Sequence, residues 1–448
     1  MADGAPSDGA VTRSLGGVGL PGEPVVRRAP FAVNPSVGKR GKQAQRRILE
    51  AALRVFGEFG YEQCKVGRIA EAAGCSRVSF YQYFSSKEDV FRQLSAIVYQ
   101  ELVDAAAVMG PVTADAAGYQ VLGAWFSRYG EIYDSYEPVY EAFQTATVRD
   151  DDLVRGARKA TARVLTAFDS HVSGSRLEAG QRRAVIRLIS EFTIRANRFR
   201  ALVETGEPPV LLGHDRLNAA LTDIAHRALF GHLPGVNSMA EPGPPLFVRE
   251  PDAWPPTMPS LTSSSLQDAV LEAARNVFLE RGYHAARIDD IAERAQVSHG
   301  AMYRYFRTKG ELFRALAAQS AARFNQAFDE LSALDLHQPD AGDRFRAWVQ
   351  DYAKTCAEAA AFMRIWAEAL ARNVELGSDS AAMIRFSCSR LTSVLSQRGA
   401  GDPHAEALVM LAALEAVTTV GMTSDQIDIG AEAIERSFHL LSSSPPAK

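Results

Sequence analysis

The stretch "SRVSFYQYFSSKEDVF", residues 76–91, is written a second time, little changed, as "SHGAMYRYFRTKGELF" at residues 298–313. The offset between the copies is 222 residues, and it holds without a gap well outside the two windows. Glu50, Phe56, Gly60 and Tyr61 fall on Glu272, Phe278, Gly282 and Tyr283, and Ile69-Ala70-Glu71 falls on Ile291-Ala292-Glu293. A gap-free match of this density marks a duplicated domain rather than a short solenoid repeat.

Each copy reads as a helix, a tight turn and a second helix. In "KVGRIAEAAGCSRVSFYQYF", residues 65–84, a short helix through Ile69 and Ala73 meets Gly74, which accepts a left-handed turn at little cost. Ser76 follows as a side-chain cap for the next helix. On that helix Phe80 and Phe84 lie four apart and face inward, leaving Arg77, Ser79 and Gln82 pointing out with donors and acceptors. This is the helix-turn-helix layout, whose second helix enters the major groove of DNA. Tyr81 and Tyr83 add hydroxyls, and Lys87 a point charge, suited to a phosphate backbone. Upstream, Arg27, Arg28, Lys39, Arg40, Lys42, Arg46 and Arg47 occur with no acid between Glu23 and Glu50. They read as a flexible basic arm able to lie along phosphates or reach a minor groove.

Composition frames this reading without deciding it. A chain of 448 residues suffices for two to three domains, and 47% hydrophobic and 23% charged residues are ordinary for a globular protein. A formal charge of -4 means that attraction to DNA must be local. Cys64, Cys75, Cys356 and Cys388 form no metal-ligand spacing and read as reduced thiols. No apolar run approaches the ~20 residues needed to span a bilayer, and the N-terminus lacks the apolar core of a secretory signal. A cytoplasmic, nucleoid-associated protein without cofactor or membrane partner is expected. His171, His226 and His404 are isolated, so no metal site is nominated. No catalytic residue is nominated either, because no nucleophile triad, phosphate-cradling glycine loop or spaced carboxylate pair stands out.

The pattern is helical throughout, and the expected fold is all-α. Residues 1–40 form a disordered basic tail, 41–95 and 265–317 the two heads, and 96–231 and 318–442 two C-terminal helical domains. Proline density makes 232–264 an extended linker. Helices are expected at 87–107, 151–172, 178–204 and 215–230, and again at 311–334, 345–359, 380–397, 405–422 and 425–441. Gly60 and Gly282 are expected to end the first helix of each head as left-handed caps. Aromatic stretches such as Trp125 to Phe143 and Trp348 to Trp366 are usually core. Within them Trp125, Tyr129, Phe143, Trp348, Tyr352 and Trp366 are the candidate lining of a hydrophobic pocket.

The two windows resemble the DNA-binding domain of TetR/AcrR-type transcriptional regulators. Phe-x-x-x-Gly-Tyr, Ile-Ala-Glu-x-Ala and Tyr-x-Tyr-Phe-x-x-Lys stand at that family's spacing in both copies. The resemblance implies two tandem units, each a three-helix DNA-binding head followed by a C-terminal domain for ligand binding and dimerisation. It implies a double-stranded DNA operator as partner, released by a small-molecule effector. Arg77, Ser79 and Gln82 then occupy base-reading positions, with Lys65, Arg68, Ser76, Tyr81, Tyr83 and Lys87 around them. In the second copy His299, Ala301 and Arg304 fall at the reading positions, flanked by Arg287, Ser298, Tyr303, Tyr305 and Lys309.

The copies differ. Gln296 stands at the turn glycine's position, which costs about 1 kcal/mol if a left-handed conformation is required. Residues 39–92 carry eleven basic and six acidic side chains, whereas residues 262–314 carry eight and seven. More nonspecific affinity is therefore expected of the first head. The apolar run 405–422, with Ile427, Ile434 and Phe438 after it, and the stripes through Val185 to Phe199 and Leu217 to Leu229, are expected to meet as a four-helix bundle. The chain is then an intramolecular pseudo-dimer, or a homodimer through the same helices. A pseudo-dimer presents its two recognition helices about one DNA turn apart.

Overall fold

The computed structural model describes residues 39–146, 151–205, 209–235, 244–247, 265–335, 337–370, 374–398, 401–418 and 424–438. Among these the regular structure is helical, apart from one parallel bridge between Val112 and Val172. Of the expected tail at 1–40, residues 1–38 lie outside the described residues and 39–40 begin the first helix; the side chains of Phe362 and Trp366 also lie outside. The chain divides into two compact units, residues 1–105 with 131–163, and residues 106–130 with 164–448.

The first unit opens with α1 (Lys39–Phe59), α2 (Val66–Ala72), α3 (Arg77–Tyr83) and α4 (Lys87–Ala107). Helix α1 buries Ile48, Ala52, Val55 and Phe56, the stripe at spacings of three and four, and stops at Gly60 with φ 74°. Lys39, Arg40, Lys42, Arg46 and Arg47, read above as part of a flexible arm, instead form the first turns of α1, where Arg46 pairs with Glu50 at 3.2 Å. A ring cluster closes the head: Phe56, Tyr61 and Phe91 stand 4.8–6.3 Å apart, centroid to centroid.

Helix α5 (Ala116–Ala146) is kinked at Tyr136, with φ -130° and ψ 21°. Pro138 just beyond lacks an N–H and crowds the preceding turn, which accounts for the break. Within the first unit the Tyr136 hydroxyl donates to Glu101 of α4 at 2.7 Å. Helix α6 spans Asp151–His171.

The second unit continues with α7 (Ala179–Thr205) and α8 (His214–Phe230). It then holds α9 (Ser265–Ala285), α10 (Ile288–Arg294), α11 (His299–Tyr305) and α12 (Lys309–Ser332). Its remaining helices are α13 (Ala341–Leu370), α14 (Val374–Leu395), α15 (Pro403–Val417) and α16 (Ser424–Phe438). Phe278, Tyr283 and Phe313 rebuild the ring cluster of the first head, 222 residues on, at 4.9–5.8 Å. Gly282 differs from the expected left-handed cap: its φ of 74° goes with a ψ of 164°, and helical turns resume through Ala285.

Helices α7 and α8 pack against α15 and α16, burying Val185, Ile189, Phe192, Leu217, Leu221 and Ile224 on one side. Leu408, Leu411, Leu414, Ile434 and Phe438 are buried on the other. Helix α15, apolar apart from His404, Glu406 and Glu415, is buried along most of its length. The linker is not free along its whole length. Arg216 donates to the Pro244 carbonyl at 3.1 Å, and Phe247, only 4% exposed, sits beside the His404 ring at 6.2 Å. Burying one aromatic side chain offsets part of the cost of ordering this short strap.

Candidate nucleic-acid interface

The turn between α2 and α3 follows from which carbonyls the end of α2 leaves open. Gly74, at φ 63°, donates to Glu71 O and Cys75 donates to Ala70 O, both at 2.9 Å, the pair of bonds that defines a Schellman motif. Ser76 then accepts from the Ser79 N–H at 3.0 Å and starts α3. The second head repeats every bond. Gln296 donates to Glu293 O at 3.1 Å and Val297 to Ala292 O at 3.0 Å, and Ser298 accepts from Ala301 at 3.2 Å. Gln296 has φ 55° and is the one positive-φ non-glycine among the described residues.

Helices α3 and α11 are held by one buried face each. Phe80 and Phe84 are buried in the first head, Met302 and Phe306 at the same register in the second. That anchoring turns Arg77, Tyr81 and Gln82 outward, with Ser79 and Tyr83 half-buried at the flanks. On α11, His299, Tyr303 and Arg304 are exposed, and Ala301 and Tyr305 half-buried. Val78, 74% exposed on α3, was not singled out from sequence. An apolar side chain beside Arg77 suits contact with a thymine methyl, and Gly300 at the equivalent place offers none. Its signal was a β-branched residue on an otherwise polar helix face.

Lys87 departs from the expected role. Its ammonium donates to Tyr61 O at 2.8 Å and Glu62 O at 3.2 Å, and lies over the Tyr61 ring at 4.4 Å. Lys309 does the same with Tyr283 O at 2.7 Å, Ala286 O at 3.1 Å and the Tyr283 ring at 4.6 Å. The amine is drawn inward because the loop after the first helix has carbonyls with no helical partner. Each lysine thereby staples the start of α4 or α12 to that loop. Arg68 stacks on Phe59 at 4.1 Å, keeping its guanidinium at the surface. Lys65 and Arg287, both exposed, precede α2 and α10. Burial pushes the Cys64 thiol up, opposed by the charges of Lys87 and Arg68 beside it.

Beneath the recognition helices the heads differ in charge. The Arg77 guanidinium lies over Gly67, where an added side chain would displace its flexible end. At the equivalent place the second head carries Asp289, whose carboxylate meets His299 Nδ1 at 3.2 Å. Asp290 takes the position of Arg68, accepts from the Arg287 N–H at 3.2 Å and pairs with Arg281 at 2.7 Å. Two carboxylates thus occupy ground that is neutral and basic in the first head.

Each candidate pocket residue whose side chain is described meets a neighbouring ring. Trp125 meets Tyr129 at 6.2 Å and Phe168 at 5.8 Å, and Phe143 meets Tyr99 at 6.3 Å. Trp348 stacks on Tyr352 at 5.1 Å and 13°, and its indole donates to Ala327 O at 2.7 Å. Among the described residues no His, Cys, Asp or Glu group could hold a metal ion, and no helix is long and apolar enough to cross a membrane.

Two three-helix heads, each with a serine-capped recognition helix after a Schellman turn, define a tandem helix-turn-helix protein. A family model described as "Bacterial regulatory proteins, tetR family" matches residues 48–94 and again 270–316, so each of the two heads is similar to the DNA-binding segment of that family. It is 40% identical over 55 residues to the uncharacterized HTH-type transcriptional regulator YdgC of Bacillus subtilis, covering 12% of this chain and 28% of that protein. It is 51% identical over 47 residues to the HTH-type transcriptional activator FasR of Mycolicibacterium smegmatis (10% and 22%). With the HTH-type transcriptional repressor AcnR of Corynebacterium glutamicum it shares 38% identity over 60 residues (13% and 32%). The chain therefore spans under a third of the length of these relatives.

Proposed function

We propose that this protein is a sequence-specific regulator of transcription that grips one double-stranded operator with two unequal heads. The observation that carries the reading is the repetition, at one register, of a capped recognition helix whose polar face is solvent-exposed. In the first head Arg77, Ser79, Val78 and Gln82 read base edges, while Tyr81, Tyr83, Lys65 and Arg68 bear on phosphates. In the second, His299, Ala301 and Arg304 read, flanked by Arg287, Ser298, Tyr303 and Tyr305. The packing of α7 and α8 on α15 and α16 supports an intramolecular pseudo-dimer, in which one chain supplies both heads. The output is repression, by likeness to AcnR, relieved by a small hydrophobic effector bound among the C-terminal helices.

A second reading is favoured by Asp289 and Asp290: the first head alone holds DNA, and the second unit is a sensor or scaffold. FasR, named as an activator, fits it equally well. In vitro selection of bound sequences with wild type, Arg77→Ala and Arg304→Ala separates the two. Two unlike half-sites about one helical turn apart, each blurred by its own variant, are expected. A single half-site indifferent to Arg304→Ala would leave the second reading standing, and a symmetric site bound by two chains would sink the pseudo-dimer.

A further inference from the structure

The surface joining the two halves within the second unit is polarised in charge. Helices α7 and α8 carry eight arginines against four acids, and α15 and α16 carry six acids against one arginine. Where they meet, the ion pairs run one way. Arg216 is held by both oxygens of Asp402, at 2.8 and 3.0 Å. Arg227 reaches Glu406 at 3.2 Å and donates to Ser437 O at 3.0 Å. Arg195 faces Glu415 at 3.4 Å. In each of these three pairs the cation comes from the first repeat and the anion from the second, although Arg195 also pairs with Glu191 of its own helix at 2.6 Å. Asp402 and Glu406 are completely buried, and Arg227 is 5% exposed.

A two-fold symmetric dimer sets one surface against a copy of itself. If the first repeat paired with its own copy, arginines would confront arginines. If the second did, α15 would bring Glu406 and Glu415 against the same carboxylates, and it carries no lysine or arginine to answer them. A buried charge without its partner is strongly destabilising, so like pairings are penalised while the unlike pairing is satisfied. Apolar burial alone would not discriminate, since both repeats bury aliphatic faces of similar chemistry.

Resting on the pseudo-dimer reading, we infer that the face formed by α7 and α8 is a docking surface coded by charge for α15 and α16 of the same chain, and closed to self-pairing. The first repeat has diverged into the basic partner and the second into the acidic one. Covalent linkage raises their mutual concentration, and the charge code excludes the competing chain dimers.

Charge exchange in the full chain tests this. Arg195→Glu with Arg227→Glu makes both faces acidic, and Glu406→Lys with Glu415→Lys makes both basic. Each double variant is expected to melt roughly 5 °C or more below wild type. The chain bearing all four changes is expected to melt above either double, because the pairs are restored in reverse. An equimolar mixture of the two doubles is expected to give a two-chain species by light scattering that neither gives alone. Absence of rescue in the fourfold variant, or a double that dimerises by itself, would overturn the charge code. A two-chain wild type would instead overturn the pseudo-dimer beneath it.

Discussion

Gln296 holds a φ of 55° in the turn that Gly74 makes at 63° in the other head. Nothing lies within 4 Å of a side chain added at Gly74, so a substitution there is opposed by the backbone conformation and not by a collision. Gln296→Gly should therefore stabilise the second unit by about 1 kcal/mol, and Gly74→Ala should destabilise the first by a similar amount. Urea unfolding followed by unit-specific probes reads both, and equal midpoints for wild type and Gln296→Gly would refute the strain. Lys87 is held by the protein's own groups. Its ammonium already has two carbonyls and a ring face, so Lys87→Met should cost the first head about 1–3 kcal/mol. The slope of log affinity for DNA against log salt should stay as in wild type, because no phosphate contact is removed. Arg47→Ala, an exposed charge on α1, should reduce that slope by about 1. A slope reduced equally by Lys87→Met would return that lysine to the phosphates.

Helices α2 and α10 differ by little in sequence and by much in what they present. Asp289→Gly should free His299 and remove a carboxylate from the approach to DNA while leaving the Asp290 cap intact. Operator affinity should rise about threefold at low salt, and the converse Gly67→Asp, which sets an acid under Arg77, should lower it about tenfold. Binding isotherms between 50 and 200 mM salt check both; opposite signs would reverse the ranking of the heads. The elements themselves were largely legible. Gly74 and Ser76 punctuate the start of α3, and the expected bounds of α4, 87–107, are those found. Helix α5 was not: no helix was expected between 107 and 151, and at its kink Tyr136 carries the irregular dihedrals while Pro138 supplies the cause. The inward turn of Lys87 was illegible, since the groups receiving it are main-chain carbonyls that no residue type encodes. The arginine–carboxylate pairs were hidden by distance: Arg227 and Glu406 are 179 residues apart and acquire meaning only when α8 and α15 are packed.

For the molecule as a whole, acid should loosen the second unit before it loosens the carboxylate network. The isoelectric point of about 6.2 puts the chain near neutrality between pH 7 and 5, so self-repulsion does not dominate there. Two histidines do, His226 buried and His404 half-buried. His226 is fully buried, with Nδ1 2.7 Å from His232 O. Burial holds its pKa below the usual imidazole value, against the backbone bonds to His232 and Thr113 and the charge of Asp115, while His232 adds to the lowering. Burial also lowers His404, where the attraction of Asp402 opposes it and Arg216 reinforces it. Unfolded histidines take up protons near pH 6.5, whereas these two resist until lower pH. The unfolded state then binds more protons, so this stability is present in full above about 6.5 and is lost as pH falls, by up to about 1.4 kcal/mol per pH unit for each histidine. Asp169 acts in the same direction, but its pKa, raised by burial and lowered more by Arg182 and Arg183, places the loss in the carboxylate range well below pH 5. Denaturation midpoints measured from pH 7.5 to 5 should decline, and His226→Asn, which keeps a donor for the His232 carbonyl and cannot ionise, should flatten the decline by about half. A wild-type midpoint level across that range would mean that both rings accept protons in the folded state.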